Sequence, residues 1–220
     1  MHLRLFALLT LSCAYGASHA YEASAPLDVD LSGRWNLNTT LSDDANALLL
    51  QRLEKQFQLE RRRRAREEAD SGDQTPLPES IPAPKASRVL AQLREVLGLS
   101  PTLEIRQADG GSKLAIDSEV SQRRFTAGSR SLVSMPEGEL ADSQVGWAGE
   151  WFVIERKVRR GPRVIERYRL LKKTGQLQAS IAWSGGSEEI LAGIKLNQVF
   201  DRGDGAVPPP PQDPSLGPVP

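Results

Sequence analysis

The chain has two histidines, His2 and His19, and one cysteine, Cys13, all placed before Tyr21. Without that leading stretch no imidazole, thiol or disulfide remains, which excludes a Ser/His/Asp triad, a cysteine nucleophile and a His or Cys zinc site. Aromatic residues make up only 5% of the chain, too few to line a large barrel with rings. Neither charge sign dominates, with 28 basic and 28 acidic residues, so no global field steers the protein towards nucleic acid. No apolar run reaches the roughly 18 residues a membrane-spanning helix needs, and no phosphate-binding loop or metal-ligand cluster is present, so neither a cofactor nor a metal is expected.

What is there begins with Arg4, an apolar stretch from Leu5 to Leu11, and small residues Ala17, Ser18 and Ala20, the pattern of a secretory signal peptide. Cleavage after Ala20 and a periplasmic or secreted location are expected. The alternative, a lipoprotein anchored through Cys13, is disfavoured by Thr10 and Leu11 in the positions before it. An exported domain without disulfides must stabilise itself by apolar burial, for which about 200 residues suffice. Residues 21–205 are therefore read as one domain with a helical and linker insertion over 43–100, and 206–220 as a proline-rich, disordered tail.

Leu31 to Thr39 forms a first strand, after which Ser42 or Asp43 is placed to cap a helix beginning near Ala45. Leu49, Leu53 and Phe57 give that helix an apolar stripe, but from Glu60 to Glu68 charges replace it. The prolines between Asp70 and Pro84 mark a mobile linker, and a second short helix runs from Ser87, with Val89, Leu90, Leu93, Val96 and Leu97 on one side, to Gly98. From Thr102 to Phe200 the period becomes alternating, and seven turn signals divide it into eight strands. Together with the first strand they predict an antiparallel up-and-down barrel, or strongly curved meander, of about 8 to 10 strands.

Two short connections, Arg159 to Pro162 and Lys172 to Gly175, allow a register to be predicted. Symmetric pairing sets Val153 opposite Tyr168 and Leu170 opposite Leu177. One face then carries Trp151, Val153, Val164, Tyr168, Leu170, Leu177, Ala179, Ile181 and Trp183, and is assigned to the interior. The same register sets Glu155 opposite Glu166 on that face, with Lys157 nearby. Side chains so opposed stand roughly 5 Å apart at Cβ, close enough for two carboxylates to perturb each other's ionisation. Such a pair suits a hydrated barrel mouth neutralised by Lys157, a ligand contact, or the acid and nucleophile of a hydrolase.

Gly33-Arg34-Trp35 opens the first strand ahead of this long meander, and in this the chain resembles a lipocalin-like barrel. The resemblance implies that the Trp35 indole plugs the closed end, beneath a basic residue from the end of the last strand, here Arg202. The chain also resembles exported proteins of Gram-negative bacteria that share this Gly-x-Trp start and a strand ending in Val-Phe-Asp, here Val199-Phe200-Asp201. It departs from lipocalins in lacking disulfides and the later lipocalin motifs, and in the charged insertion after the first strand.

Two further readings complete the expectation. Arg61, Arg62, Arg63, Arg64 and Arg66 form a dense basic run, either a solvated helix paired with Glu60, Glu67 and Glu68 or a contact for anionic lipid headgroups or another envelope partner. The expected activity is non-catalytic: an apolar or amphipathic small molecule bound among Trp35, Trp151, Val153, Glu155, Glu166, Tyr168, Ile181 and Trp183, in an interior either filled or modestly hollow. The alternatives are an envelope interaction module acting through the insertion and tail and, more remotely, a hydrolase using Glu155 and Glu166.

Overall fold

In the computed structural model of the chain the described residues are 21–71, 86–88, 90, 91, 94, 97–119, 121–134, 140–185 and 191–203. The expected signal peptide, the linker from residue 72, Val89, Leu93, Val96 and the proline-rich tail lie outside them. The protein is mainly β, with ten strands in one antiparallel sheet and a helical insertion after the first. The strands are β1 (Gly33–Leu37), β2 (Thr102–Ala108), β3 (Lys113–Ser118), β4 (Gln122–Thr126), β5 (Arg130–Ser134), β6 (Leu140–Ala148), β7 (Trp151–Val158), β8 (Arg163–Leu171), β9 (Gln176–Ser184) and β10 (Lys195–Arg202). Helix α1 spans Ala45–Ser71.

The sheet order is β4-β3-β2-β1-β10-β9-β8-β7-β6-β5, so β1 lies in the middle, pairing with both β2 and β10, and the consecutive strands β4 and β5 occupy the two ends. The sheet curls until side chains of β4 meet those of β7 and β8: Phe125 lies edge-on to Phe152 with ring centroids 6.0 Å apart. One more strand forms than the turn signals indicated. The additional turn joins β3 to β4 without glycine or proline, closed by Ser118 N–H donating to the Ser121 carbonyl (2.8 Å) and Ser121 N–H donating to the Ser118 hydroxyl (3.1 Å).

The β8–β9 register is the expected one, with Leu170 opposite Leu177 and Val164 opposite Trp183. The β7–β8 register is shifted by one residue: Phe152, not Val153, stands opposite Tyr168, and Ile154, not Glu155, opposite Glu166. The connection causes the shift. It holds five residues, Val158 to Pro162, between the last pair, Lys157 and Arg163, with Arg160 in the left-handed region at φ 63°. An odd count moves every β7 side chain to the other face. Trp151, Val153 and Glu155 therefore lie on the outer surface, and the interior of β7 is Phe152, Ile154, Arg156 and Val158. Likewise Gly146 pairs with Val153, and Ala148 with Trp151.

Before β1 the chain runs along the sheet as a strap. Glu22 forms an antiparallel bridge with Trp147, and Ala25 N–H donates to the Gly110 carbonyl (3.0 Å). The approach is close enough that a Cβ on Gly146 would lie 2.6 Å from the Glu22 carbonyl oxygen. Val29 and Leu31 at the end of the strap join the apolar core. Helix α1 is capped not by Ser42 or Asp43 but by Asp44, whose carboxylate accepts from Ala47 N–H (2.9 Å). Ser42 and Asp43 instead bond to β10 at Val199 and Asn197. Leu49 and Leu53 are buried, and Leu49 joins a cluster with Leu97, Ile181 and Trp183, so the insertion packs on the sheet through the expected stripe.

Candidate functional site

Alternation along the strands sorts the interior into layers. One apolar cluster gathers Trp35, Ile105, Ile116, Trp147, Phe152 and Phe200, and a second gathers Leu49, Leu97, Val164, Ile181, Trp183 and Leu196. Between them each of four strands places a polar residue on the inward face: Ser143 on β6, Arg156 on β7, Glu166 on β8 and Gln198 on β10. Arg123 on β4 reaches this belt from the far end of the sheet.

Glu166 is 1% exposed and is the hub of the belt. Arg123 Nη1 donates to both its oxygens at 3.0 and 2.7 Å, Arg156 Nη2 donates to Oε1, and the Tyr168 hydroxyl donates to Oε2 at 2.9 Å. Arg123 Nη2 also donates to the Tyr168 oxygen at 3.1 Å. Burial alone would raise the Glu166 pKa, but the charges of Arg123 and Arg156 outweigh it and hold the carboxyl at about 2. Burial, followed by the Glu166 charge, pushes the Tyr168 phenol up, so it stays a neutral donor. Two guanidiniums thus share one carboxylate; the other charged group on the inward faces of the described strands, Arg202, is exposed at the end of β10 beside Trp35. The Nε atoms of both arginines are buried, with no hydrogen-bond partner among the described residues.

The belt is not sealed. No ladder joins β4 to β5, the side chains of Arg123 and Arg156 each keep 20% exposure, and Ser131, which shares the inward face of β5 with its partner Ser143, is exposed.

Glu155 stands on the opposite side of the sheet. It accepts from Arg163 Nε (2.7 Å), Arg163 Nη2 (3.0 Å) and the Tyr21 hydroxyl (2.9 Å). The Arg163 hydrogen bonds lower its pKa despite partial burial. The two carboxylates therefore do not face each other, and the acid-and-nucleophile geometry considered for a hydrolase does not form. Lys157 is exposed on the outer face and does not neutralise Glu166; Arg123 and Arg156 do. Of the other wall residues, Trp35, Tyr168, Ile181 and Trp183 are buried inside, Val153 is buried on the outer face, and Trp151 lies under Arg169 with the guanidinium 4.4 Å from its ring.

Trp35 is fully buried and donates from Nε1 to the Leu31 carbonyl (3.0 Å), with the Arg202 guanidinium 4.6 Å from its ring. Gly33 keeps that contact open, because a Cβ there would lie 3.0 Å from Arg202 Nη1. Arg61 is partly exposed and Arg62, Arg63, Arg64 and Arg66 are exposed on α1, where Arg63 pairs with Glu67 at 3.7 Å. Among the described residues no group of His, Cys, Asp or Glu is arranged to hold a metal, and no helix is long and apolar enough to cross a membrane.

Sequence reasoning missed Arg123 and Arg156. Arg123 sits beside Arg124 in a strand with no alternation of polar and apolar residues, and Arg156 falls on the outer face in a register that pairs Val153 with Tyr168, one residue from the observed one. The signal that was available is the arginine beside the apolar Phe152 and Ile154 positions, on the face that alternation leaves for the core once the loop is counted as odd.

No protein-family model matches the sequence, and no curated protein matches it. Solved structures of similar layout include Caenorhabditis elegans lipid binding protein 8, with 15% identity, 80% of this chain and 99% of that chain covered, and a TM-score of 0.43. They also include a fatty-acid-binding protein of Drosophila melanogaster brain, with 13% identity, 76% and 94% covered, and a TM-score of 0.40. A third is fatty-acid-binding protein 1 of Echinococcus granulosus, with 11% identity, 78% and 96% covered, and a TM-score of 0.42.

Proposed function

We propose that this is a non-catalytic carrier whose curled sheet holds an amphipathic small molecule by its anionic end. The observation that carries this reading is the charge imbalance inside the sheet: Arg123 and Arg156 share only Glu166, leaving one positive charge in excess on guanidiniums that keep 20% exposure. A partly desolvated cation without a counter-charge is unfavourable, and a carboxylate, sulfate or phosphate ester at the belt offsets that cost. Both unpartnered Nε groups add donors of the geometry such an anion accepts. The apolar clusters on either side of the belt favour a hydrocarbon body on the same molecule. The unladdered gap between β4 and β5 is the way in.

The protein is exported and processed after Ala20 in this reading. Support comes from the leader pattern, and Tyr21 and Glu22, the first residues of the processed chain, bond to Glu155 and Trp147. N-terminal sequencing of the protein from an envelope extract should start at Tyr21; a start at Met1 would defeat the export reading.

The test of binding is calorimetric titration with tetradecanoic acid and with tetradecanol, equal in chain length and different in charge. The acid should bind and the alcohol should bind at least roughly ten-fold more weakly, and Arg156→Gln should weaken the acid by a similar factor. Equal affinity for acid and alcohol, or no binding of either, would sink the proposal.

A further inference from the structure

We infer that the molecule held at Arg123 and Arg156 also presents a second oxygen acceptor, a hydroxyl, keto or ester oxygen near its acidic end, to the indole N–H of Trp183. This rests on the anion reading above and narrows the ligand class to oxygenated amphipathic acids.

The starting point is a contrast among the buried indoles. Trp35 Nε1 donates to the Leu31 carbonyl at 3.0 Å and Trp147 Nε1 to the Gly111 carbonyl at 2.8 Å, so where these rings fill the core the backbone supplies an acceptor. Trp183 is buried at 5% exposure, yet its Nε1 has no partner among the described residues. The residues it clusters with, Val164, Ile181, Leu191, Ile194 and Leu196 among them, have aliphatic side chains without an acceptor. A donor left this way costs about 1–3 kcal/mol, a cost that phenylalanine would avoid while packing a similar ring.

The position of Trp183 ties it to the belt. Arg156 on β7 is opposite Val164 on β8, and Val164 is opposite Trp183 on β9, so all three lie in one row across the sheet. Two strand spacings separate the backbones of Arg156 and Trp183, about 10 Å, and both residues lie on the concave face. Among the described residues the buried inward-facing side-chain donors without partners are Arg123 Nε, Arg156 Nε and Trp183 Nε1; the remaining unpartnered buried side-chain atom, Arg106 Nε, belongs to an outward-facing cluster with Asp117, and none of the four is an acceptor. An unsatisfied set made only of N–H groups calls for a guest made of acceptors. A carboxylate at the guanidiniums with an oxygen a few carbons along the chain meets all three, while a plain hydrocarbon tail leaves the indole unpaired.

The experiment compares tetradecanoic acid with its hydroxy derivatives at the second to the fifth carbon, by calorimetry on the full-length processed protein. At least one hydroxy acid should bind roughly three- to ten-fold tighter than the parent, the worth of one hydrogen bond. Trp183→Phe should bring that ratio to about one. In unsubstituted protein, the Trp183 indole N–H resonance should move downfield with the favoured hydroxy acid and not with the parent acid, which gives the answer even where the variant fails to fold. Parent and hydroxy acids binding alike, with an unmoved indole resonance, would overturn this inference and leave the anion reading standing. Failure of every acid to bind would overturn both.

Discussion

Glu155 and Glu166 sit on neighbouring strands, yet the sheet treats them as different groups. Glu155 is on the outer surface beneath Tyr21, its charge met by Arg163, whose own side chain is half exposed. Glu166 is inside, held by two arginines, one from the adjacent β7 and one from β4 at the far end of the sheet. Water screens and repairs the first ion pair, while nothing can replace the partners of the second. A carboxylate's role in this fold is set by which face of the pleat it occupies, and that was decided by one extra residue in the Val158–Pro162 connection.

The largest way to test this difference is Glu166→Gln, which leaves Arg123 and Arg156 facing each other without a counter-charge; it should cost about 3–5 kcal/mol in chemical denaturation. An anionic ligand should recover part of that loss in the variant, because it supplies the missing charge. Acid should reproduce the effect reversibly. Glu166 has its folded pKa depressed from 4.5 to about 2, so its contribution is complete above the unfolded value and is lost as pH falls from about 4.5 towards 2. The loss should be on the order of 3 kcal/mol in the unsubstituted protein, and denaturation midpoints followed through that range should show it largely absent from Glu166→Gln.

A smaller effect sharpens the outer side of the comparison. Gly146→Ala places a Cβ against the Glu22 carbonyl, so the strap must lift and uncover Glu155. A loss of about 1–3 kcal/mol is expected, with faster hydrogen exchange at the Glu22 amide as the local sign. Smallest of all, Glu155→Gln should cost no more than about 1 kcal/mol in the same denaturation measurement, since its ion pair lies at the surface. A cost matching that of Glu166→Gln would show that the two faces do not differ in this way.

Much of the fold was readable because local chemistry and tertiary structure agree. The turns at Gly110, Gly128, Gly149, Gly161 and Gly175, the period change at Thr102 and the apolar stripe of α1 correspond to observed elements. The β8–β9 register was legible because the face it buries, Val164, Tyr168 and Leu170 against Trp183, Ala179 and Leu177, is apolar with polar residues between. The β7 register was not, for two physical reasons. The residues Phe152, Val153 and Ile154 are all buried, because the strap covers the outer face of β7, so alternation carries no phase there. In addition, Arg160 adopts a left-handed conformation that is usually a glycine signal, so the odd loop had no marker in composition. The serine-closed turn after β3 was hidden for a similar reason: hydroxyl groups did the work usually assigned to glycine or proline.

By itself the sequence determined the class of the protein, the placement of most strands, the helical insertion and the absence of histidine and cysteine after Ala20, because periodicity, turn chemistry and composition are local properties of the chain. The tertiary structure alone decided that Arg123 meets Glu166, 43 residues away, across the interior and that Glu155 does not. The meeting depends on how far ten twisted strands curl before β4 comes over β8, and Glu155's side depends on a loop count. Both accumulate along the sheet, so no local stretch of residues records them.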